Sequence, residues 1–395
     1  MKELSLAIIA KNPIVYHAPM YRKLAESGVN LDVLYLDDVG KESITDQEFN
    51  ITVTWDIPLL EGYKYQFVKN YTRNVYGGFF SRINPGLFFL FARKKYDVVL
   101  IQGYDNFSYW LAFFLSKLFG CKSIWRGEAI LKSGVNQKGF GQRLKKYLLP
   151  RFFGGYDALM YSCSGNKDYL KFFGVPESKL FPIPCAVDND FFREEGEKYR
   201  NKGQEIRQEL GISSDDFIVI FAARFTTLKR PMDLIKSVES LTSKDITLLF
   251  VGDGTEKEKI EEYTRDNKIK AVFTGFKNQG EISKYYSIAD MAAVISEWDN
   301  SPKAMNEAMN FELPIVVTNT VGTARDLIVD GENGFVVNVG DVTAIASCID
   351  FLNQNRKLAK EMGKKSFNKV SGSSFQENAR YIKDAMKYVA CGSEL

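Results

Sequence analysis

Two carboxylates with a fixed spacing lie in the stretch 296–318. Asp299 and Glu307 are separated by seven residues, and Glu307 falls in the second turn of a helix predicted to start at Ser301 and Pro302. Serine can cap the free N–H groups of a helix start, and proline suits its first position because it has no N–H. The N–H groups of a helix start favour an anionic group such as a phosphate. Carboxylates beside a phosphate would bind hydroxyls, so sugar and ribose hydroxyls are the expected ligands.

Two cations follow an apolar run in the second half of the chain. The run Phe217–Ala222 predicts a buried strand, and Arg224 and Lys229 lie between it and Pro231, which opens the next predicted helix. Fixed cations at a strand end can stabilise an anionic group. Arginine can make two parallel hydrogen bonds to phosphate, whereas lysine acts as a point charge. The pair therefore favours an anion-binding site over a merely solvated face.

Several polar side chains in the first half of the chain lie at the predicted start of a helix or just after predicted strands. They are His17, Tyr104, Asp105, Arg126 and Glu128. Open α/β sheets bind ligands at the carboxyl ends of their strands, so we expect these residues near a bound ligand. Glu128 could orient or deprotonate a hydroxyl of that ligand. The alternatives are an ion pair between Arg126 and Glu128, and a helix-capping role for His17.

The elements that must position these residues are strands and helices in alternation. Short apolar runs such as Leu6–Ile9, Val98–Gln102 and Phe217–Ala222 are followed by predicted helices along the chain. This order predicts an α/β protein with parallel sheets. A length of 395 residues suits two domains.

The second half of the chain resembles the retaining glycosyltransferases of family 4. An acid, seven residues, a glutamate, Ala-Met and a proline-led apolar strand are similar to the E-x7-E signature of that family, although its first acid is Asp299 here. The resemblance implies the GT-B fold, with two Rossmann-like doubly wound domains facing a central cleft. The acceptor domain would comprise residues 1–190, with a C-terminal helix at 373–395 crossing back to it. The donor domain would comprise residues 191–372.

The resemblance also implies roles for individual residues. Glu307 would bind ribose hydroxyls, Asp299 a donor-sugar hydroxyl, and Arg224 with Lys229 the leaving diphosphate. Further donor contacts are expected from the segments that match the family near the base and the diphosphate. These residues are Gly275, Phe276, Ser301, Pro302, Lys303 and Ala304. Arg126-Gly127-Glu128 stands where relatives often have a His-Gly that faces the donor sugar. The resemblance therefore implies that the polar residues of the first half lie on the acceptor side, where Glu128 could act on the acceptor hydroxyl.

The implied function is transfer of a sugar from a nucleotide-diphosphate sugar to a glycan or lipid-linked acceptor, in polysaccharide or glycoconjugate biosynthesis. The sugar nucleotide is a co-substrate, and no cofactor or metal is expected. Asp188-Asn189-Asp190 matches a metal-binding D-x-D, but a similar segment ends the first domain of family-4 chains. Two alternatives remain, a GT-B-fold sugar-nucleotide epimerase and a catalytically inactive binding partner. A single histidine would supply the acids and bases of an epimerase poorly.

Composition limits the remaining classes. The net charge of +3 does not indicate a nucleic-acid binder. The five scattered cysteines, the absence of a signal peptide and the lack of a membrane-spanning apolar run predict a cytoplasmic protein. Residues 138–153 alternate basic and bulky apolar side chains, which predicts peripheral contact with an anionic membrane. The alternative is a solvated helix that packs its apolar stripe on the domain.

Overall fold

A computed structural model describes residues 4–41, 43–46, 51–131 and 140–392 of the chain. The chain folds into two compact units. Unit 1 comprises Met1–Thr45, Thr52–Pro184 and Phe375–Leu395, and unit 2 comprises Asp46–Ile51 and Cys185–Ser374. The units therefore change between Pro184 and Cys185, whereas the sequence suggested residue 190. The intervening residues pack within unit 2, where the Asn189 side chain donates to the carbonyl oxygens of Val370 and Ser373.

Unit 1 contains a parallel sheet with the strand order β5-β2-β1-β6-β7-β8-β9. Its strands are β1 (Ser5–Ala10), β2 (Asn30–Tyr35), β5 (Lys64–Phe67), β6 (Val98–Gln102), β7 (Lys122–Gly127), β8 (Ala158–Tyr161) and β9 (Leu180–Pro182). A separate pair consists of β3 (Ser43–Asp46) and β4 (Ile51–Thr54). The helices of unit 1 are α1 (Ala18–Glu26), α2 (Gly86–Arg93), α3 (Phe107–Leu118), α4 (Phe140–Gly154), α5 (Ser164–Phe172) and α15 (Phe375–Cys391).

Unit 2 contains a second parallel sheet, with the strand order β12-β11-β10-β13-β14-β15. Its strands are β10 (Phe217–Ala222), β11 (Ile246–Val251), β12 (Ala271–Phe273), β13 (Met291–Val294), β14 (Ile315–Thr318) and β15 (Gly334–Val337). Its helices are α6 (Asn189–Tyr199), α7 (Gly203–Glu209), α8 (Pro231–Glu239), α9 (Lys257–Asp266), α10 (Gln279–Tyr286), α11 (Lys303–Met309), α12 (Ala324–Leu327), α13 (Val342–Gln354) and α14 (Arg356–Val370).

The central strands are buried on both faces because helices cover both sides of each sheet. Every residue of β11 is buried, and in β10 only Ala222 is partly exposed. Continuous apolar runs are typical of parallel strands in this position. Each sheet therefore presents its polar loops at its edges, and the carboxyl edge of the unit 2 sheet carries the predicted donor residues. The doubly wound α/β architecture predicted from the sequence is confirmed for both units.

Two local predictions need correction. Helix α11 begins at Lys303, so Pro302 is the N-cap residue rather than the first helical residue, and no side-chain capping bond is made there. In α4, Phe152 and Phe153 are buried in the core of unit 1 and cannot rest on a membrane. These two rings pack on the domain, as in the alternative weighed for this segment, whereas Tyr147 and Leu148 are exposed.

Residues 132–139, including Lys138, lie outside the described part of the chain. Among the described helices, none has the length and apolar character needed to cross a bilayer.

Candidate active site

The loops that follow β10 and β11 are tied together by their backbones. The Phe225 N–H donates to the Asp253 carbonyl oxygen at 2.9 Å. A Cβ atom on Gly252 would lie 1.9 Å from the Ala223 carbonyl oxygen, and one on Gly254 would lie 2.3 Å from that of Phe225. Only glycine permits such close approach of two main chains. The segment that carries Arg224 is therefore fixed against its neighbour, and the exposed Arg224 stands at the carboxyl edge of the sheet.

The Gly275 loop after β12 joins the same edge. The Gly275 carbonyl oxygen accepts a hydrogen bond from the Gly252 N–H at 2.9 Å. Gly275 has a φ of 72°, in the left-handed region that favours glycine, and the ring of Phe276 beside it is exposed. The structure thus places both predicted donor contacts in a loop that is hydrogen-bonded to the turn beside Arg224.

The ammonium group of Lys229 forms an ion pair with the Asp299 carboxylate. The sequence had assigned these residues to different parts of the donor, the lysine to the diphosphate and the aspartate to the sugar. Both side chains are largely buried, with 23% of Lys229 and 15% of Asp299 exposed. The pairing means that the Asp299 carboxylate already partly compensates the positive charge of Lys229.

Main-chain bonds hold Asp299 in place. Its Oδ1 atom accepts from the Ser301 N–H at 3.1 Å, and its carbonyl oxygen accepts from the Gly322 N–H at 2.8 Å. The loop after β13 is also bonded to the turn before α8, because the Glu297 N–H donates to the Leu228 carbonyl oxygen at 2.8 Å. The loops that follow β10, β13 and β14 therefore fix the position of the Lys229–Asp299 pair.

The Glu307 carboxylate lies deeper, in the second turn of α11. Only 4% of the residue is exposed. Its Oε2 atom accepts a hydrogen bond from the Tyr286 hydroxyl at 3.0 Å, and Tyr286 is the last residue of α10. A buried carboxylate is stable only with hydrogen-bond donors around it, so Tyr286 acts as a positioning residue for Glu307. The sequence analysis missed Tyr286, because nothing in the spacing of the two residues indicates that they meet.

Replacing Tyr286 by phenylalanine should weaken nucleoside diphosphate binding by about tenfold, the value of one hydrogen bond to a charged group. The reason is that Glu307 loses a donor that orients its carboxylate. Calorimetric titration would measure the affinity. Tyr285→Phe is the matched control, since Tyr285 is adjacent and partly exposed. Equal affinities of the two variants would show that Tyr286 does not position Glu307.

Lys303 lies beside Cys185 and Ser301. Its ammonium nitrogen lies 2.9 Å from the Cys185 sulfur and 3.4 Å from the Ser301 hydroxyl. The Asn306 side chain donates to the Cys185 carbonyl oxygen at 3.0 Å, so Cys185 is held at the start of α11. Pro302 is buried and Ala304 is partly exposed. Cys185 is a second neighbour that the sequence analysis missed, because it is more than a hundred residues away along the chain.

In unit 1, Arg126 is the centre of a second polar group. Its Nη1 atom lies 3.1 Å from Nε2 of His17, and its Nη2 atom lies 3.7 Å from Oε1 of Glu128. The guanidinium has only donors, so His17 Nε2 accepts and the neutral imidazole carries its proton on Nδ1. Arg126 is buried, whereas Glu128 is partly exposed. The structure therefore brings together three of the predicted acceptor-side residues, and the ion pair considered for Arg126 and Glu128 is present.

Tyr104 and Asp105 follow β6 but face different surroundings. The hydroxyl groups of Tyr104 and Tyr169 share a hydrogen bond of 2.7 Å. Burial raises the pKa of Tyr104, and the hydrogen bond from Tyr169 only partly opposes this. Tyr104 is thus protonated at neutral pH and packs on the core. Asp105 is exposed and lies 3.6 Å from the ammonium group of Lys11.

The D-x-D segment has a structural role. The Asp188 carboxylate caps α6 by accepting a hydrogen bond from the Phe191 N–H at 3.1 Å. The Asn189 side chain is buried and donates to the carbonyl oxygens of Val370 and Ser373. Among the described residues, no group of three or more His, Cys, Asp or Glu side chains is arranged to hold a metal ion.

The region that contains the donor residues matches a known family. Residues 202–369 match the model of the glycosyl transferases group 1. This segment is similar to that family. It includes Arg224, Lys229, Asp299 and Glu307, so the family match covers each residue on which the predicted donor site depends.

Two relatives illustrate the range of this family. The chain is 27% identical over 182 residues to the N-acetyl-alpha-D-glucosaminyl L-malate synthase of Bacillus anthracis, covering 45% of this chain and 47% of that protein. It is 25% identical over 233 residues to the UDP-Gal:alpha-D-GlcNAc-diphosphoundecaprenol alpha-1,3-galactosyltransferase of Escherichia coli, covering 56% and 58%. The chain thus spans about half the length of the relatives with which it aligns.

The fold matches over almost the whole chain. HepE of Anabaena, solved in complex with UDP, superposes with a TM-score of 0.73 at 15% identity, covering 97% of this chain and 100% of that one. The predicted GT-B fold is confirmed. At this identity the comparison establishes the fold alone.

Proposed function

We propose that this protein is a retaining glycosyltransferase of family 4 that moves a sugar from a nucleotide-diphosphate sugar to a hydroxyl of a glycan or lipid-linked acceptor. The proposal rests mainly on the contact between Lys229 and Asp299, which brings a cation predicted to bind phosphate next to a carboxylate predicted to bind a sugar hydroxyl. The match of residues 202–369 to glycosyl transferases group 1 supports it.

The leaving diphosphate would be stabilised by Arg224 and Lys229. Charge grows on the phosphate oxygens as the bond to the sugar breaks, and preorganised cations lower the free energy of that state. Because these side chains supply the positive charge, we propose that the reaction needs no metal ion. Activity should therefore survive EDTA, and a strict metal requirement would contradict this part of the proposal.

The two acids would divide the donor between them. Asp299 would accept a hydrogen bond from a sugar hydroxyl, because its carboxylate lies beside the phosphate-binding Lys229. Glu307, held by Tyr286, would accept from the ribose hydroxyls. Retention of configuration would follow a front-face route in which the leaving phosphate helps to deprotonate the acceptor, with no covalent intermediate on the protein.

The acceptor would be bound by unit 1. Glu128 would orient or deprotonate the acceptor hydroxyl, and Arg126 and His17 would hold Glu128 and the acceptor in place. The Escherichia coli relative is named for an acceptor linked to diphosphoundecaprenol. A lipid-linked acceptor in polysaccharide or glycoconjugate biosynthesis is therefore our first choice of acceptor class.

Incubation with a panel of sugar nucleotides tests the proposal. A transferase is expected to release nucleoside diphosphate slowly from one of them, with water as a poor acceptor. A changed sugar without release would indicate an epimerase. Neither change, together with no thermal shift by any sugar nucleotide, would favour an inactive binding partner and overturn the proposal.

A further inference from the structure

Unit 1 exposes a continuous group of apolar rings on the outer side of α2, α3 and the 3-10 turn Phe79–Ser81. We call it the aromatic face, and its residues are Phe79, Phe80, Phe88, Phe89, Phe114 and Leu118. In the folded chain 63% of Phe80, 62% of Phe89 and 69% of Leu118 is exposed. Apolar side chains exposed singly need no explanation, but a contiguous group marks an interaction surface.

Ring contacts join the aromatic face to both ends of α3. At the N-terminal end of α3, Phe79 lies 6.4 Å from Phe107 and 6.3 Å from Trp110, measured between ring centroids. At its C-terminal end, Phe88 lies 5.6 Å from Phe119. Phe114 stands between these ends on the same side of the helix, since positions 107, 110, 114 and 118 share one helical face. The outer face of α3 is thus apolar where a solvated helix would be polar.

The segment that carries Phe79, Phe80, Phe88 and Phe89 is basic. Residues 62–96 contain no aspartate or glutamate but seven cations, which are Lys64, Lys69, Arg73, Arg82, Arg93, Lys94 and Lys95. Arg82 is buried in an ion pair with Asp37, and Lys94 pairs with Asp32. Arg73, Arg93 and Lys95 are exposed. An apolar surface with a fringe of exposed cations is complementary to an anionic lipid surface.

We propose that the aromatic face docks on the headgroup region of an anionic lipid bilayer. Its rings would enter the boundary between headgroups and acyl chains, while Arg73, Arg93 and Lys95 would contact lipid phosphates. The sequence predicted membrane contact for residues 138–153, but Phe152 and Phe153 of that segment are buried. Helix α4 adjoins the aromatic face through Phe152, whose ring stacks on Trp110 at 4.0 Å, so its exposed Lys145 and Lys146 would extend the basic fringe.

Vesicle co-sedimentation tests the proposal with the full chain and without substrates, so the result does not depend on the proposed transferase activity. We expect binding to vesicles that contain phosphatidylglycerol, weak binding to pure phosphatidylcholine, and release by salt. The double variant Phe80→Ser/Phe114→Ser should lower the partition coefficient by about tenfold or more, because two exposed rings no longer leave water on docking.

Matched controls locate the contact. Phe172→Ser/Phe351→Ser removes two exposed rings outside the aromatic face and should bind vesicles like the wild type. Arg93→Glu/Lys95→Glu should lose binding to anionic vesicles. All these side chains are exposed, so unchanged melting temperatures are expected. If Lys145→Glu/Lys146→Glu abolishes binding while Phe80→Ser/Phe114→Ser does not, the contact belongs to α4 and the proposal is overturned.

The alternative is that the aromatic face binds a second copy of the chain instead of a lipid bilayer. Sedimentation velocity without lipid would detect it as a dimer that the double variant Phe80→Ser/Phe114→Ser dissociates. A dimer of this kind with no vesicle binding would overturn the proposal, as would a monomer that binds no vesicles. Equal binding to neutral and anionic vesicles would also contradict it, since the basic fringe would then contribute nothing.

Discussion

Replacing Lys229 by alanine should lower kcat by on the order of 100-fold, with the melting temperature close to that of the wild type. The magnitude is that of one lost contact to charge that develops in the transition state. The ion pair with Asp299 adds a second effect, because the substitution leaves an uncompensated carboxylate near the leaving phosphate. Arg224→Ala should cause a loss of similar size. Steady-state kinetics with the preferred sugar nucleotide would measure both.

The ion pair between Lys229 and Asp299 suggests a control for the Lys229→Ala prediction. Lys229→Ala should also bind nucleoside diphosphate more weakly than the wild type. Adding Asp299→Asn should restore part of that affinity, because the repelling carboxylate is gone. Lys236→Ala, an exposed lysine on α8 away from the pair, should have full activity. Wild-type rates in both Lys229→Ala and Arg224→Ala would remove these residues from the diphosphate site.

Asp299→Asn should lower kcat/KM for the sugar nucleotide by about 10- to 150-fold, as expected for a hydrogen bond to a charged group worth roughly 1.5–3 kcal/mol. Its effect on free nucleoside diphosphate should be the opposite. The substitution releases Lys229 from its ion pair, and a partly exposed pair is worth about 1 kcal/mol or less. Nucleoside diphosphate should therefore bind up to about fivefold tighter. From the sequence alone, no change in that affinity would be expected.

Glu307→Gln should weaken both ligands, because its proposed partner, the ribose, is common to the sugar nucleotide and to the nucleoside diphosphate. Calorimetric titration of both variants distinguishes the two acids. Glu281→Gln, an exposed acid on α10, is the control. If Asp299→Asn weakens nucleoside diphosphate as much as Glu307→Gln does, the two acids do not divide the donor, and Asp299 does not correspond to the first glutamate of the family signature.

The sequence predicted the central strands well because burial on both faces leaves an apolar run. Phe217–Ala222 has the same limits in the sequence and in the structure. Strand β5 was missed for the opposite reason. It lies at the edge of the unit 1 sheet, and three of its four residues are exposed, so it has no apolar run, and its four residues are too few for their alternation to stand out. An edge strand with so little burial does not need apolar side chains, which makes it hard to predict.

The candidate site was predicted as a set of positions but not as a set of contacts. Local spacing identified Arg224, Lys229, Asp299 and Glu307. It could not identify the Lys229–Asp299 pair, which spans 70 residues, or the Tyr286 hydroxyl on Glu307. Those contacts depend on how the loops after parallel strands meet and on side-chain rotamers. The same applies to Arg126 and His17, which are 109 residues apart.

The position of α15 has a consequence for biosynthesis. This helix packs on α1, and the ring of Tyr388 lies 5.0 Å from that of Phe181, so unit 1 is completed by residues that follow all of unit 2. On the ribosome, the 190 residues of Cys185–Ser374 emerge between the two parts, which takes about 10–40 s at about 5–20 residues per second. During that interval the nascent chain holds an open first unit with the apolar face of α1 uncovered, while the second unit can already close. The unit that begins translation is the one that finishes folding last, and it is the one that needs protection from aggregation.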